Sequence, residues 1–188
     1  MSAIRLVAVT VCLLLAGAAC SSALTTEEYA ESIGALTDAY VIESQNLSYD
    51  YQSAVEDGVR AIVAEEAPDS EEAAVALIAN ESVQYLALLG DSMDRYIIAL
   101  DALAPPGSLD TEHDAYVAAI VAVHGALPQT RDAVGVATDI PAIQLALSSS
   151  GFADGQIRWT ATCTVLEEAI RAEGRGVDLR CLRSEVTP

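Results

Sequence analysis

Lysine is absent from this chain of 188 residues, and all nine basic residues are arginines. Without lysine the chain cannot form a Walker A phosphate-binding loop, a Schiff base with a carbonyl substrate or a Ser-x-x-Lys nucleophile. Basic side chains are also greatly outnumbered, because 28 acidic residues give a formal net charge of -19. That charge excludes the binding of nucleic acid through a basic face.

Sequence signatures of catalysis and metal binding are missing as well. Glu-x-x-His, Gly-x-Ser-x-Gly, Gly-x-Gly-x-x-Gly and the calcium loop of alternating aspartates do not occur. The only histidines, His113 and His124, stand about 16 Å apart along one predicted helix, so one ion cannot bind both. We predict no catalytic residue, no metal site and no cofactor. We expect His113 to be a surface or capping side chain and His124 to bond a carbonyl at the core edge.

The single long apolar run lies at the N-terminus, where Arg5 precedes Leu6–Leu15 and small residues follow at 16–19. This order is typical of an export signal, and the run is shorter than the roughly 20 residues of a membrane-spanning helix. We therefore predict a signal at 1–19 that is removed, a short tether at 20–24 and a single α-helical domain at 25–188, located outside the cytoplasm.

Cysteine counting bears on how the signal is cut. Cys12 leaves with the signal, and three cysteines remain, an odd number for an oxidising compartment. Cys20 follows small residues and resembles the lipobox cysteine of bacterial lipoproteins, which becomes the lipid-modified N-terminus. Gly17 replaces the aliphatic residue that usually stands three positions earlier. The alternative is ordinary secretion after cleavage behind Ala18 or Ala23.

Apolar residues recur at steps of three and four along the rest of the chain, which predicts an all-α fold. We expect an elongated up-and-down bundle of three to four long helices. The first is predicted to start at a Thr25–Glu28 capping box and to end near Glu66. The second should start at an Asp69–Glu72 box and end before Pro105.

The later helices are predicted from proline and glycine positions. The third begins near Asp110 and is kinked or ended by Pro128. A short helix over Pro141–Leu147, a loop at Ser148–Gly151 and a last helix ending at Gly174 follow.

The two late cysteines are predicted to form a disulfide. About 15 Å of helix separates Cys163 from Gly174, and seven extended residues span more than about 20 Å. The extended C-terminal tail can therefore fold back and bring Cys181 beside Cys163. A zinc site is the alternative, but these cysteines lack nearby histidines to complete four ligands.

Tyrosines share helix faces. An eleven-residue spacing is close to three whole turns, and it recurs in two sets: Tyr29, Tyr40 and Tyr51, and Tyr85 and Tyr96. One interpretation is a stripe at the edge of the core. The other is a ligand groove between the first two helices that accepts an apolar or sugar-like molecule.

Charge is unevenly distributed. Residues 20–114 carry 20 acidic and two basic side chains, so the first two helices should present a strongly acidic surface. Such a surface maintains solubility, and it could also attract a basic partner or weakly capture divalent cations.

Three short segments resemble those of uncharacterised secreted helical proteins and lipoproteins from high-GC bacteria. They are Leu24-Thr25-x-Glu27-Glu28-Tyr29, Pro105-Pro106-x-x-Leu109-x-x-x-His113, and Cys163-x-x-Leu166-Glu167-x-x-Ile170 with Gly176-Val177-Asp178-Leu179-x-Cys181. The resemblance implies an exported helical domain with a paired C-terminal cysteine. It implies no activity.

Together these features predict a lipid-anchored binding or interaction module of the cell envelope, held at the membrane by its anchor only. Its partner would be an envelope protein or a small apolar ligand. The alternatives are a structural spacer without a ligand and a hydrolase with His113 or His124 as its base.

Replacing Cys20 tests the anchor. We expect the Cys20→Ala variant, expressed in its host, to move from the detergent phase to the aqueous phase, because the acyl chains are lost. A Cys12→Ala variant should partition like the wild type. Unchanged partitioning of Cys20→Ala would exclude lipidation.

Overall fold

The helices begin and end close to where capping residues and prolines predict. The structure is a computed structural model that describes residues 23–64, 69–148 and 150–181. Those residues form five helices and no strand: α1 (Thr26–Ala64), α2 (Ser70–Asp101), α3 (Asp110–Gly135), α4 (Ile140–Leu147) and α5 (Ser150–Ala172). The all-α prediction is confirmed. The predicted signal at 1–19, Cys20 and the predicted end of the first helix near Glu66 lie outside the described residues.

Side-chain caps explain two of the helix starts. At α1 the Thr25 hydroxyl oxygen accepts from the Glu28 backbone N–H at 3.2 Å, and the Glu28 carboxylate accepts from the Thr25 N–H at 3.0 Å. The Glu28 carboxylate also accepts from the Thr25 hydroxyl at 2.8 Å, and the two bonds that the carboxylate accepts hold the pKa of Glu28 below its usual range. At α4 Asp139 accepts from the Ala142 N–H at 2.7 Å. The capping box predicted at Asp69 is wrong, because its backbone is not extended (φ -100°, ψ 17°) and its side chain makes no capping bond.

Two boundaries differ from the sequence prediction, and at Pro128 the structure excludes one of two alternatives. Pro128 lies inside α3, which continues to Gly135, so of the predicted kink or end the end is excluded. The loop predicted at Ser148–Gly151 is shorter, because α5 already begins at Ser150. The last helix ends at Ala172, and Gly174 has a φ of 84°, a value that favours glycine.

The long helices are packed in the order α1–α2–α3–α5, and α4 lies against α3. Neighbours run antiparallel: the Leu24 N–H, just before α1, donates to the Ala104 carbonyl, just after α2, at 2.9 Å. Close packing of this kind is not found between α1 and α5 in the described part of the chain. Their separation leaves a gap along one side of the bundle.

A C-terminal segment, residues 175–181, crosses that gap, and we call it the strap. It starts after α5 and reaches α1, where Arg180 Nε lies 2.6 Å from Asp38 Oδ1 and Arg175 Nη2 lies 2.5 Å from Glu27 Oε2. Leu179 is buried. The Cys163–Cys181 disulfide joins the strap to α5 with a Cα–Cα distance of 5.5 Å, which confirms the predicted bridge.

Reduction of this disulfide should lower the free energy of unfolding by about 3 kcal/mol, because the unfolded chain is then no longer restricted by the bridge. Urea denaturation of the oxidised and reduced protein measures the loss. The Cys163→Ser/Cys181→Ser variant should not respond to reductant. Identical unfolding curves for the oxidised and reduced wild type would contradict the expectation.

Candidate functional site

A cavity of about 320 Å³ lies in the gap between α1 and α5. α2 and α3 contribute its floor, and the strap contributes Leu179, Arg180 and Cys181. The apolar walls include aromatic rings from four helices: Tyr40, Tyr85, Tyr116, Phe152 and Trp159. The exposed wall of the cavity is therefore mainly apolar, although polar side chains also contribute to it.

Helical spacing brings the wall residues of each helix to one face. Along α1 the positions lining the cavity are one, three, four or a few more residues apart on one face: Thr37, Tyr40, Val41, Ser44 and Gln45. The same spacing appears along α5: Phe152, Gln156, Trp159, Thr160 and Cys163. Residues separated by three or four positions share a helix face, so each helix presents a continuous wall.

The two ends of the cavity differ in polarity and exposure. Gln45 and Gln156 are exposed and mark its mouth, whereas Thr37 and Tyr116 are buried at its inner end. The rings of Tyr40 and Trp159 lie between them, with centroids 5.7 Å apart.

Hydroxyl groups at the inner end form a chain of contacts. The Thr37 Oγ1 lies 2.8 Å from the Ile33 carbonyl oxygen and 2.7 Å from the Tyr96 hydroxyl, which lies 2.8 Å from the Tyr116 hydroxyl. Burial raises the pKa of both tyrosines, and for Tyr116 it outweighs the hydrogen bonds with Tyr96, Trp159 and Thr37 that lower it. Both phenols are therefore neutral at physiological pH.

The tyrosines predicted to form a groove occupy three different environments. Tyr40 and Tyr85 line the cavity, and Tyr96 stacks on Tyr40 with ring centroids 4.7 Å apart. Tyr51 packs against Tyr85 and contacts the Ser82 hydroxyl at 3.0 Å. Tyr29 is buried and is not among the cavity-lining residues.

The cavity lies between α1 and α5 because α1 and α2 pack closely against each other. Tyr116, Phe152 and Trp159 belong to the site as well, although they were not predicted from the sequence as site residues. Only the helix order brings their faces to the gap, and no local sequence signal encodes that order.

His113 is not a surface residue, so that expectation is wrong. Its side chain is 4% exposed, and Nδ1 lies 2.8 Å from the Tyr29 hydroxyl. Burial lowers the pKa of His113, against the opposing effect of Asp114, Asp101 and Asp110. Burial also raises the pKa of Tyr29, so a neutral phenol faces a neutral imidazole in this hydrogen bond.

His124 is half-buried, as expected for the core edge, but its contact is a carboxylate and not a carbonyl. Its Nε2 lies 3.3 Å from Asp94 Oδ1. Neither histidine is among the residues that line the cavity. Within residues 23–64, 69–148 and 150–181, no group of three or more His, Cys, Asp or Glu side chains is arranged to hold a metal ion.

Comparison with family models, with curated proteins and with solved structures gives no match to this chain. By length and composition, α2 alone among the described helices could cross a membrane, which is weak evidence. It packs between α1 and α3 and contributes eight buried residues.

The buried His113 predicts sensitivity to acid. Its folded-state pKa is below the usual value, so the unfolded chain binds the proton more readily and stability falls as pH drops through about 6.5. Urea unfolding should show that the free energy of unfolding falls more between pH 7.5 and pH 5.5 for the wild type than for His113→Gln. Equal losses would contradict this expectation.

Proposed function

We propose that this chain is an exported, lipid-anchored protein of the cell envelope whose helical domain binds a small, largely apolar ligand. The observation that carries the proposal is the cavity between α1 and α5, with its aromatic walls and its exposed mouth. Export and anchoring are supported by the N-terminal sequence and by Cys20.

The cavity has the properties of a ligand site. Small-molecule sites are typically concave, mainly apolar and about 300–1,000 Å³ in volume, with a few polar groups that orient the ligand. Protein interiors otherwise pack closely, and an unfilled apolar cavity lowers stability. A ligand here would displace water from apolar surface and recover about 25 cal/mol for each Å² buried.

The other hypotheses lack an observation of this kind. A hydrolase would need one of its two histidines at the site, and neither His113 nor His124 lines the cavity. A spacer without a ligand would have no use for a cavity with an exposed mouth. Binding of an envelope protein is compatible with the acidic surface, but no described contact favours it.

Blocking the cavity tests the proposal. Thr160 lines the cavity, whereas Thr164, one turn later on α5, is exposed and does not. We expect Thr160→Phe to weaken the binding of 2-naphthol about tenfold, equivalent to about 1.4 kcal/mol. The Thr164→Phe control should bind like the wild type.

Trp159 is the only tryptophan and forms part of the wall, so quenching of its emission by the probe reports occupancy directly. Urea denaturation checks that both variants remain folded. Equal binding by the two variants, or no binding by the wild type, would count against the cavity as a ligand site.

A further inference from the structure

The hydroxyl chain at the inner end of the cavity has only one arrangement of its hydrogens. Three short contacts join four oxygens, in the order Ile33 carbonyl, Thr37, Tyr96 and Tyr116, at 2.8, 2.7 and 2.8 Å. Each contact needs one hydrogen between its oxygens, because oxygens this close without a hydrogen repel each other. The three hydroxyls supply three hydrogens, and the carbonyl supplies none.

The carbonyl therefore fixes the direction of every bond. Thr37 must donate to Ile33, so Tyr96 must donate to Thr37. Tyr116 must then donate to Tyr96. Reversing any one bond would leave another contact without a hydrogen, which the low dielectric of a buried site makes costly.

Every hydroxyl hydrogen is then used, because Thr37 donates to Ile33, Tyr96 to Thr37 and Tyr116 to Tyr96. No hydroxyl hydrogen of the chain remains to be offered to the cavity.

From this hydrogen-bond direction we infer that the cavity selects neutral apolar ligands that carry a hydroxyl donor, such as phenols and alcohols, over ethers, esters and carboxylates. Thr37 and Tyr116 both line the cavity, and with their hydrogens committed they present oxygen lone pairs to a ligand. The inference rests on the proposed function, since it specifies the chemistry of the ligand held in the same cavity.

A carboxylate is disfavoured for a second reason. At the inner end it would meet acceptor oxygens instead of donors, which leaves a buried charge without a hydrogen bond. Arg180 is the only charged side chain among the cavity-lining residues, and it is exposed and already paired with Asp38 at 2.6 Å.

Three naphthalene probes of similar size test the inference on the full chain: 2-naphthol, 2-methoxynaphthalene and 2-naphthoate. Equilibrium dialysis at pH 7 measures binding of all three. We expect 2-naphthol to bind about fivefold more tightly than the ether, the effect of one hydrogen bond. The carboxylate should bind more weakly than the ether.

Two variants test the cause of the preference. Tyr96→Phe keeps the ring that stacks on Tyr40 but removes the acceptor for Tyr116, whose hydrogen can then turn to the ligand. Thr37→Val has nearly the same shape but removes the acceptor for Tyr96. The hydroxyl hydrogens of Tyr96 and Tyr116 are then no longer held in one direction. Each should reduce the preference for 2-naphthol to about twofold or less, mainly through tighter binding of the ether. Tyr49→Phe, at a residue that is 72% exposed, should keep the wild-type preference.

The outcomes separate the two proposals. If the wild type binds the naphthol and the ether equally, the inference is overturned while ligand binding stands. If no probe binds, both fail. If the preference exists but survives in both chain variants, the hydrogen-bond direction is not its cause and the inference is again overturned.

Discussion

The Cys163–Cys181 disulfide is the constraint on which the site depends. It fixes the strap to α5, and the strap's Arg180 and Arg175 then pair with Asp38 and Glu27 on α1. The closely packed helix pairs of the bundle do not include α1 and α5. Exposed ion pairs alone contribute little in water, so the covalent link and the buried Leu179 give the crossing its stability. One end of the cavity is closed as a result, while the other remains open at Gln45 and Gln156.

Local chemistry explains why much of the fold could be predicted from the sequence. Apolar spacing of three and four, the Thr25–Glu28 box and the short α4 depend on residues within a few positions of one another. The disulfide could be predicted from the distance that the tail can span, because a helix and an extended segment each have a fixed rise per residue. Where the prediction failed or left alternatives open, the cause does not show in residue spacing. Asp69 has the right spacing for a cap but the wrong backbone angles. Pro128 does not end its helix, because tertiary packing stabilises α3 on both sides of it.

The candidate site could not be predicted in the same way, because it depends on which helices are not neighbours. Eleven-residue spacing correctly indicates that tyrosines share a face, but it does not show what that face meets. Tyr29 meets His113, Tyr40 meets Tyr96 and Trp159, and Tyr51 meets Tyr85. His113 shows the same limit. Its place in the first turn of α3 suggested exposure. The N-terminal turn of α1, which carries Tyr29, packs against that turn and buries His113.

Specificity in such a site must come from its few polar atoms. Apolar walls discriminate weakly between similar ligands, whereas a buried group that must pair with a particular hydrogen-bonding partner discriminates strongly. At the buried inner end those atoms are the Thr37 and Tyr116 oxygens. A backbone carbonyl on α1, outside the cavity, determines that they act as acceptors toward a ligand. Because that carbonyl can only accept, it orients three hydroxyls in series across α1, α2 and α3. The packing of α1, α2 and α3 thus determines which chemical group of a ligand the cavity accepts, and α5 encloses that ligand on the fourth side.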